Sequence, residues 1–180
     1  MNAPTERNES MEILLPVWPE GLQARSATEE VASIRGAELA FIDDYLDAEL
    51  ADEVENELNT VHGARIRRFI KKSGNTPSPG PVIEEAAQFA AAVVGVAMCG
   101  SCTAATVADA VALEKKGVRT VTIVWDTFEK AARSAARIQG VADIRFAVIP
   151  ARRGSDTAED QRAKARSASA DIVRLLLAGS

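Results

Sequence analysis

The residues of this chain best suited to chemistry are Cys99-Gly100-Ser101-Cys102. Two cysteines three positions apart can bring their sulfurs together across a first helical turn and form a reversible disulfide. The chain holds 2 cysteines and 1 histidine, His62. No second pair or histidine cluster therefore completes a four-ligand metal site. The spacing points to redox or nucleophilic chemistry, with Cys99 as the nucleophile or redox thiol and Cys102 as the resolving thiol. Reductive cleavage, a non-redox lyase or hydrolase reaction through a Cys99 adduct, and a non-catalytic accessory subunit remain distinct outcomes. So do two plainer roles, a pair that merely packs and half of a metal site shared between subunits.

Such a pair needs an element that delivers it and one that activates it. Ala91 to Ala97 is an uninterrupted apolar run of the kind buried on both faces of a parallel sheet. A helix is expected from about Thr103 to Lys116, with Gly117 as its stop. Cys99 would then sit just ahead of a helix N-terminus, where free N–H groups and the helix dipole favour thiolate over thiol. Gly100 would let the backbone turn tightly. Ser101 and Thr103 could donate to an oxyanion or cap the helix.

The rest of the chain repeats the same alternation. Strands are expected at Glu38–Ile42, Arg65–Ile70, Val118–Val124 and Ile144–Ile149. Between them, Leu50, Val54, Leu58 and Val61 recur at helical spacing, and Asp126-Thr127-Phe128-Glu129 has capping-box spacing. Asp156-Thr157-Ala158-Glu159 would cap a last helix. The pattern predicts an α/β, doubly wound, flavodoxin-like or Rossmann-like fold with a five-stranded parallel sheet. The favoured order is 2-1-3-4-5, with a switch point between the first and third strands. Residues 37–180 would form this domain. Residues 1–36 would be an N-terminal arm, whose Trp18 packs on its own domain or on a neighbouring subunit.

Other polar residues fall at the same sheet edge. Asp43 and Asp44 end the first strand and suit either acid–base work, a substrate amine, or a plain turn. Asp126 follows the fourth strand and favours an N-cap over a ligand contact. Arg152 and Arg153 follow the fifth and could meet a substrate carboxylate or lie in a solvated loop. The basic run Arg65 to Lys72 lacks the glycine-rich loop that a nucleotide phosphate needs. His62 precedes the second strand and belongs to the opposite edge.

Bulk properties narrow the partners. Apolar residues make up 47% of 180 and aromatics 4%, so the core must come from Ala, Val, Ile and Leu. A net charge of −5 argues against general nucleic-acid binding and against adsorption to an anionic membrane. The longest apolar run, Phe89 to Cys99, is about half a bilayer span. The first residues lack signal-peptide character, so a cytoplasmic protein is expected. Expected partners are a small-molecule substrate, a thiol reductant or partner subunit, and further copies of the chain in a homo-oligomer. No cofactor is expected.

The stretch from Val93 to Thr103, followed by Asp109 to Val121, resembles the UGSC family of (seleno)proteins, best over residues 82–150 and more weakly over 37–81. The strand-CxxCT-helix arrangement is also similar to that of the selenoprotein subunits of glycine, sarcosine and betaine reductases. The resemblance implies that Cys99 holds the reactive chalcogen, a position that is selenocysteine in some family members, and that Cys102 can resolve it. Where relatives carry histidines before the aspartate matching Asp109 and after the proline matching Pro150, this chain has Ala108 and Ala151. The resemblance therefore assigns no histidine to the site.

Overall fold

The computed structural model describes residues 31–177. Five strands, β1 (Glu38–Asp43), β2 (Arg65–Ile70), β3 (Ala91–Ala97), β4 (Thr120–Trp125) and β5 (Arg145–Ile149), form one sheet. They alternate with helices α1 (Ala48–Thr60), α2 (Gly80–Ala86), α3 (Gly100–Glu114), α4 (Glu129–Ile138) and α5 (Ala158–Leu177). Every pairing is parallel and the order is β2-β1-β3-β4-β5. The expected α/β architecture and strand order are therefore observed, with the switch point between β1 and β3.

Alternate side chains of each strand go to opposite faces, so one sheet serves two cores. Leu39, Phe41, Val93 and Ile123 pack with Leu50, Val54 and Leu58 of α1 and Ile172 and Leu176 of α5. Ala40, Ile42, Val94 and Val124 pack with Ile83 of α2, Val107 and Val111 of α3, and Ala132 of α4. Burying a residue such as Leu50 or Ile172 is worth about 2 kcal/mol. All seven residues of β3 are buried, as a middle strand covered on both sides requires.

The last part of the N-terminal segment packs on this unit. Val31 and Ile34 are buried in the α1–α5 core, and the Val31 N–H donates to the Leu176 carbonyl at 3.2 Å. The expectations for Met11–Leu15 and Trp18 lie outside the described residues.

Three local expectations are corrected. Helix α3 begins at Gly100, three residues before the expected Thr103, because the Cys99 side chain caps it. Asp126 caps no helix: a single 3-10 turn (Asp126–Phe128) precedes α4, whose N-cap is Phe128. The Asp126 carboxylate instead accepts N–H bonds from Thr127 (2.7 Å) and Ala151 (3.1 Å), tying the ends of β4 and β5 together. At α5 the reciprocal cap is Thr157 with Asp160 rather than Asp156 with Glu159. Asp156 is taken by the Arg153 N–H and by Lys164.

Among the described residues no helix is long and apolar enough to cross a membrane.

Candidate thiol site

The end of β3 is irregular, and this irregularity prepares the site. The β3–β4 register is regular through Val94 and shifts before Ala97. At Gly95 a Cβ would lie 2.9 Å from the Ile123 Cβ and 3.1 Å from its carbonyl oxygen, so a side chain there would collide with β4. The Val96 N–H leaves the ladder and donates to Asp44 Oδ1 at 3.0 Å, while the Asp44 N–H donates to the Gly95 carbonyl at 2.9 Å. Thr106 of α3 donates to Asp44 Oδ2 at 3.3 Å. Asp44 thus joins the ends of β1 and β3 to α3.

Burial pushes the Asp44 carboxyl up to about 6, against the opposing effect of its N–H donors. A carboxyl raised in the folded state favours folding below its unfolded value and loses that contribution as pH rises through about 6. The shift corresponds to at most about 3 kcal/mol. Asp44→Asn keeps an acceptor for Val96 and carries no charge. It is expected to raise the urea midpoint near about pH 8 and to leave it unchanged near about pH 4. An equal effect at both pH values would show that Asp44 is not the titrating group.

Beyond this knot the chain reaches Cys99 in an extended conformation, as an N-cap should be. The Cys102 N–H donates to Cys99 Sγ at 3.2 Å, and the Cys99 N–H donates to Cys102 Sγ at 2.8 Å. This is a capping box built from two sulfurs. The sulfurs are paired at disulfide distance, with Cα atoms 5.4 Å apart. Cys102 is buried, whereas Cys99 is half-buried at the carboxyl edge of the sheet.

The neighbours divide clearly. Ser101 is exposed, with its hydroxyl 3.7 Å from Cys99 Sγ and donating to Asn75 Oδ1 at 3.3 Å. Asn75 Oδ1 also stands 4.0 Å from Cys99 Sγ. Thr103 is buried and its hydroxyl donates to the Cys99 carbonyl at 2.5 Å, so it supports the cap rather than facing a ligand. Gly100 is helical and a Cβ there would meet nothing within 4 Å, so no tight turn depends on it. Its lack of a side chain leaves the approach to Cys99 open.

Asp43, Asp126 and Arg152 are drawn into other contacts, and none is bonded to either sulfur. Asp43 accepts from Arg68 at 2.7 Å and from the Tyr45 N–H at 2.8 Å, which locks β1 to the edge strand. Arg152 pairs with Asp47 (3.2 Å) and Glu49 (2.7 Å) at the start of α1. Those carboxylates raise the Arg152 pKa, Glu49 most of all, and the guanidinium is held against its own protein. His62 lies before β2, at the amino edge.

Asp109, Lys71, Ser78 and Asn75 are not among the site residues expected from the sequence, yet together they cover Cys99. Asp109 of α3 is buried and accepts from Lys71 Nζ at 2.8 Å, the Ser78 N–H at 2.6 Å and the Ser78 hydroxyl at 3.0 Å. These bonds fasten the connection from Lys71 to Pro79 onto α3, and that connection carries Asn75 to Cys99. An acid on an otherwise Ala- and Val-rich helix was the available signal. Among the described residues no group of three or more His, Cys, Asp or Glu is placed to hold a metal.

Residues 12–178 match the UGSC family, a span that includes the whole site and nearly all the chain. The chain belongs to the UGSC family. The match reaches further than the resemblance read from the sequence, taking in part of the N-terminal segment and all of α5. In this UGSC protein the tetrapeptide is Cys-Gly-Ser-Cys, and it straddles the β3–α3 junction. No curated protein matches the chain. Among solved structures it is similar to a diflavin flavoprotein A3 from Nostoc sp., at 11% identity and a TM-score of 0.47, over 78% of this chain and 94% of that one.

Proposed function

We propose that this UGSC protein is a thiol-dependent oxidoreductase of small molecules, with Cys99 as the attacking thiol and Cys102 as the resolving one. The observation that carries this reading is the asymmetry of the pair. One sulfur stands at the open edge under a backbone N–H of the α3 N-terminus, and the other is buried within disulfide reach behind it.

With a disulfide as substrate, the Cys99 thiolate forms a bond to one substrate sulfur, and the other departs with the electron pair as a thiolate. Cys102, giving up its proton, attacks Cys99 Sγ and expels the second substrate sulfur. The substrate gains two electrons and two protons, and the protein is left as the Cys99–Cys102 disulfide. An external dithiol then restores the pair by the same exchange. A reducing, cytoplasmic compartment would keep it ready between turnovers.

Each sulfur receives one backbone N–H. Cys99 Sγ, however, stands at the open edge ahead of the helix N-terminus, where the dipole and solvent stabilise a thiolate, whereas burial of Cys102 desolvates its thiolate and disfavours it. In the reduced protein, Cys99 is expected to react with iodoacetamide with a midpoint below about 8.5, and Cys102 well above it. Equal rates at both thiols, with midpoints near the free value, would overturn the assignment of Cys99 as the activated group.

A further inference from the structure

A cleft of about 420 Å³ opens beside the site, between the end of β2, the connection from Lys71 to Pro79, and α2. Its volume is at the small end of the range for small-molecule sites. Phe69, Ile70 and Val82 supply an apolar wall. Ile70 is 64% exposed, a large aliphatic side chain left uncovered at the rim. Phe69 is steadied by an edge-on contact with Phe89, the ring centres 6.0 Å apart.

The polar side of the cleft has one sign. It carries Lys71, Lys72, Ser73, Thr76 and Ser78, and no lining residue is acidic, although the whole chain carries −5. Lys71 and the Ser78 hydroxyl are both spent on Asp109, which leaves the hydroxyls of Ser73 and Thr76. Lys72 is exposed and, among the described residues, pairs with no carboxylate, so it is the cation available to a ligand. Backbone donors are scarce because Pro77 and Pro79 have no N–H. One free ammonium with flanking hydroxyls suits a singly charged anion better than a phosphate, which calls for several donors.

The same connection links the cleft to the thiols. Thr76 lines the cleft, and the adjacent Asn75 accepts from Ser101 and stands against Cys99 Sγ. We infer that this cleft binds a small monocarboxylate with a short apolar tail and presents it to Cys99. The carboxylate meets Lys72 and the hydroxyls of Ser73 and Thr76, and the tail lies on Phe69, Ile70 and Val82. That the ligand serves Cys99 rests on the thiol-enzyme reading; that the cleft takes a carboxylate does not.

The test is titration of the full chain with butanoate, hexanoate, hexanamide and inorganic phosphate, read by amide chemical shifts and calorimetry. Hexanoate is expected to bind more tightly than butanoate and to shift residues 69–82. Hexanamide should bind about tenfold more weakly or worse, and phosphate should not compete. Lys72→Glu, a change at an exposed position, is expected to weaken hexanoate by about tenfold or more, whereas Cys99→Ser should leave its affinity unchanged. Equal binding of acid and amide, tight phosphate binding, or indifference to Lys72→Glu would overturn the site. Hexanoate bound in the cleft is also expected to alter the rate of Cys99 alkylation. Selective binding that leaves this rate unchanged would overturn the link to Cys99. None of these results touches whether Cys99 is itself a nucleophile.

Discussion

Replacing Cys99 with serine is expected to lower reduction of a chromogenic aryl disulfide by about a thousandfold or more, with no loss of folding. Serine is a better N-cap than cysteine, so α3 keeps its start and the Cys102 N–H keeps an acceptor. What disappears is the nucleophile. A hydroxyl at that position is not ionised near neutral pH, no histidine is bonded to it, and His62 lies at the opposite edge. Cys102→Ser should behave differently. The hydroxyl can reach the Cys99 carbonyl, which lies 3.2 Å from the native sulfur, so the buried site stays satisfied. This variant is expected to release one equivalent of thiol, hold a mixed disulfide on Cys99 visible by intact mass, and fail at the second turnover. If it retains most multiple turnover on a substrate without a disulfide, the chemistry is non-redox and Cys102 only packs. A fully active Cys99→Ser protein would end the cysteine reading.

The sheet was legible because its signals are local. The runs Arg65–Ile70 and Ala91–Ala97 carry their own bounds, the first in its charges as an edge strand and the second in its unbroken apolar character as a doubly covered centre. Strand order followed from the parallel alternation and the buried character of β3. The position of Cys99 followed in turn, since the strand ending at Ala97 leaves it nowhere but the carboxyl edge.

What escaped depends on contacts distant in sequence. Asp126 has the spacing of a capping box, but the Ala151 N–H, 25 residues later, competes for its carboxylate. Arg152 looked free for a ligand because its partners, Asp47 and Glu49, lie 105 and 103 residues away. The start of α3 is hidden in the sequence because cysteine is not among the preferred caps, although its sulfur performs that role here. Asn75 sat in a Gly-, Pro- and Ser-rich stretch that signals a turn and nothing about where the turn points.

The Asp109 anchor of that turn gives the largest expected effect on stability. The Lys71 side chain is 5% exposed and Asp109 1%, so removing one partner strands a buried charge. Asp109→Ala does so and also frees the Ser78 N–H and hydroxyl, so a loss of about 3–5 kcal/mol is expected. That is a large share of the stability of a domain, usually about 5–15 kcal/mol. The Lys71→Met, Asp109→Leu pair removes both charges and should recover much of the loss, since apolar replacement of a buried pair is often neutral. Urea unfolding of the three proteins measures both quantities. A change within about 0.5 kcal/mol for Asp109→Ala would mean that the pair is not buried as described. The consequence for the thiols follows from what the turn carries. With Lys71 and Ser78 released from α3, Asn75 no longer lies against Ser101 and Cys99. Asp109→Asn also leaves Lys71 without its counter-charge but keeps an acceptor for the Ser78 N–H, so it is expected to cost less than Asp109→Ala and to stay folded while loosening the turn at Lys71. In it, alkylation of Cys99 is expected to quicken and that of Cys102, shielded by α3 rather than by the turn, to stay as it is. Acceleration at both thiols together would instead signal general unfolding and remove Asn75 from any part in covering Cys99.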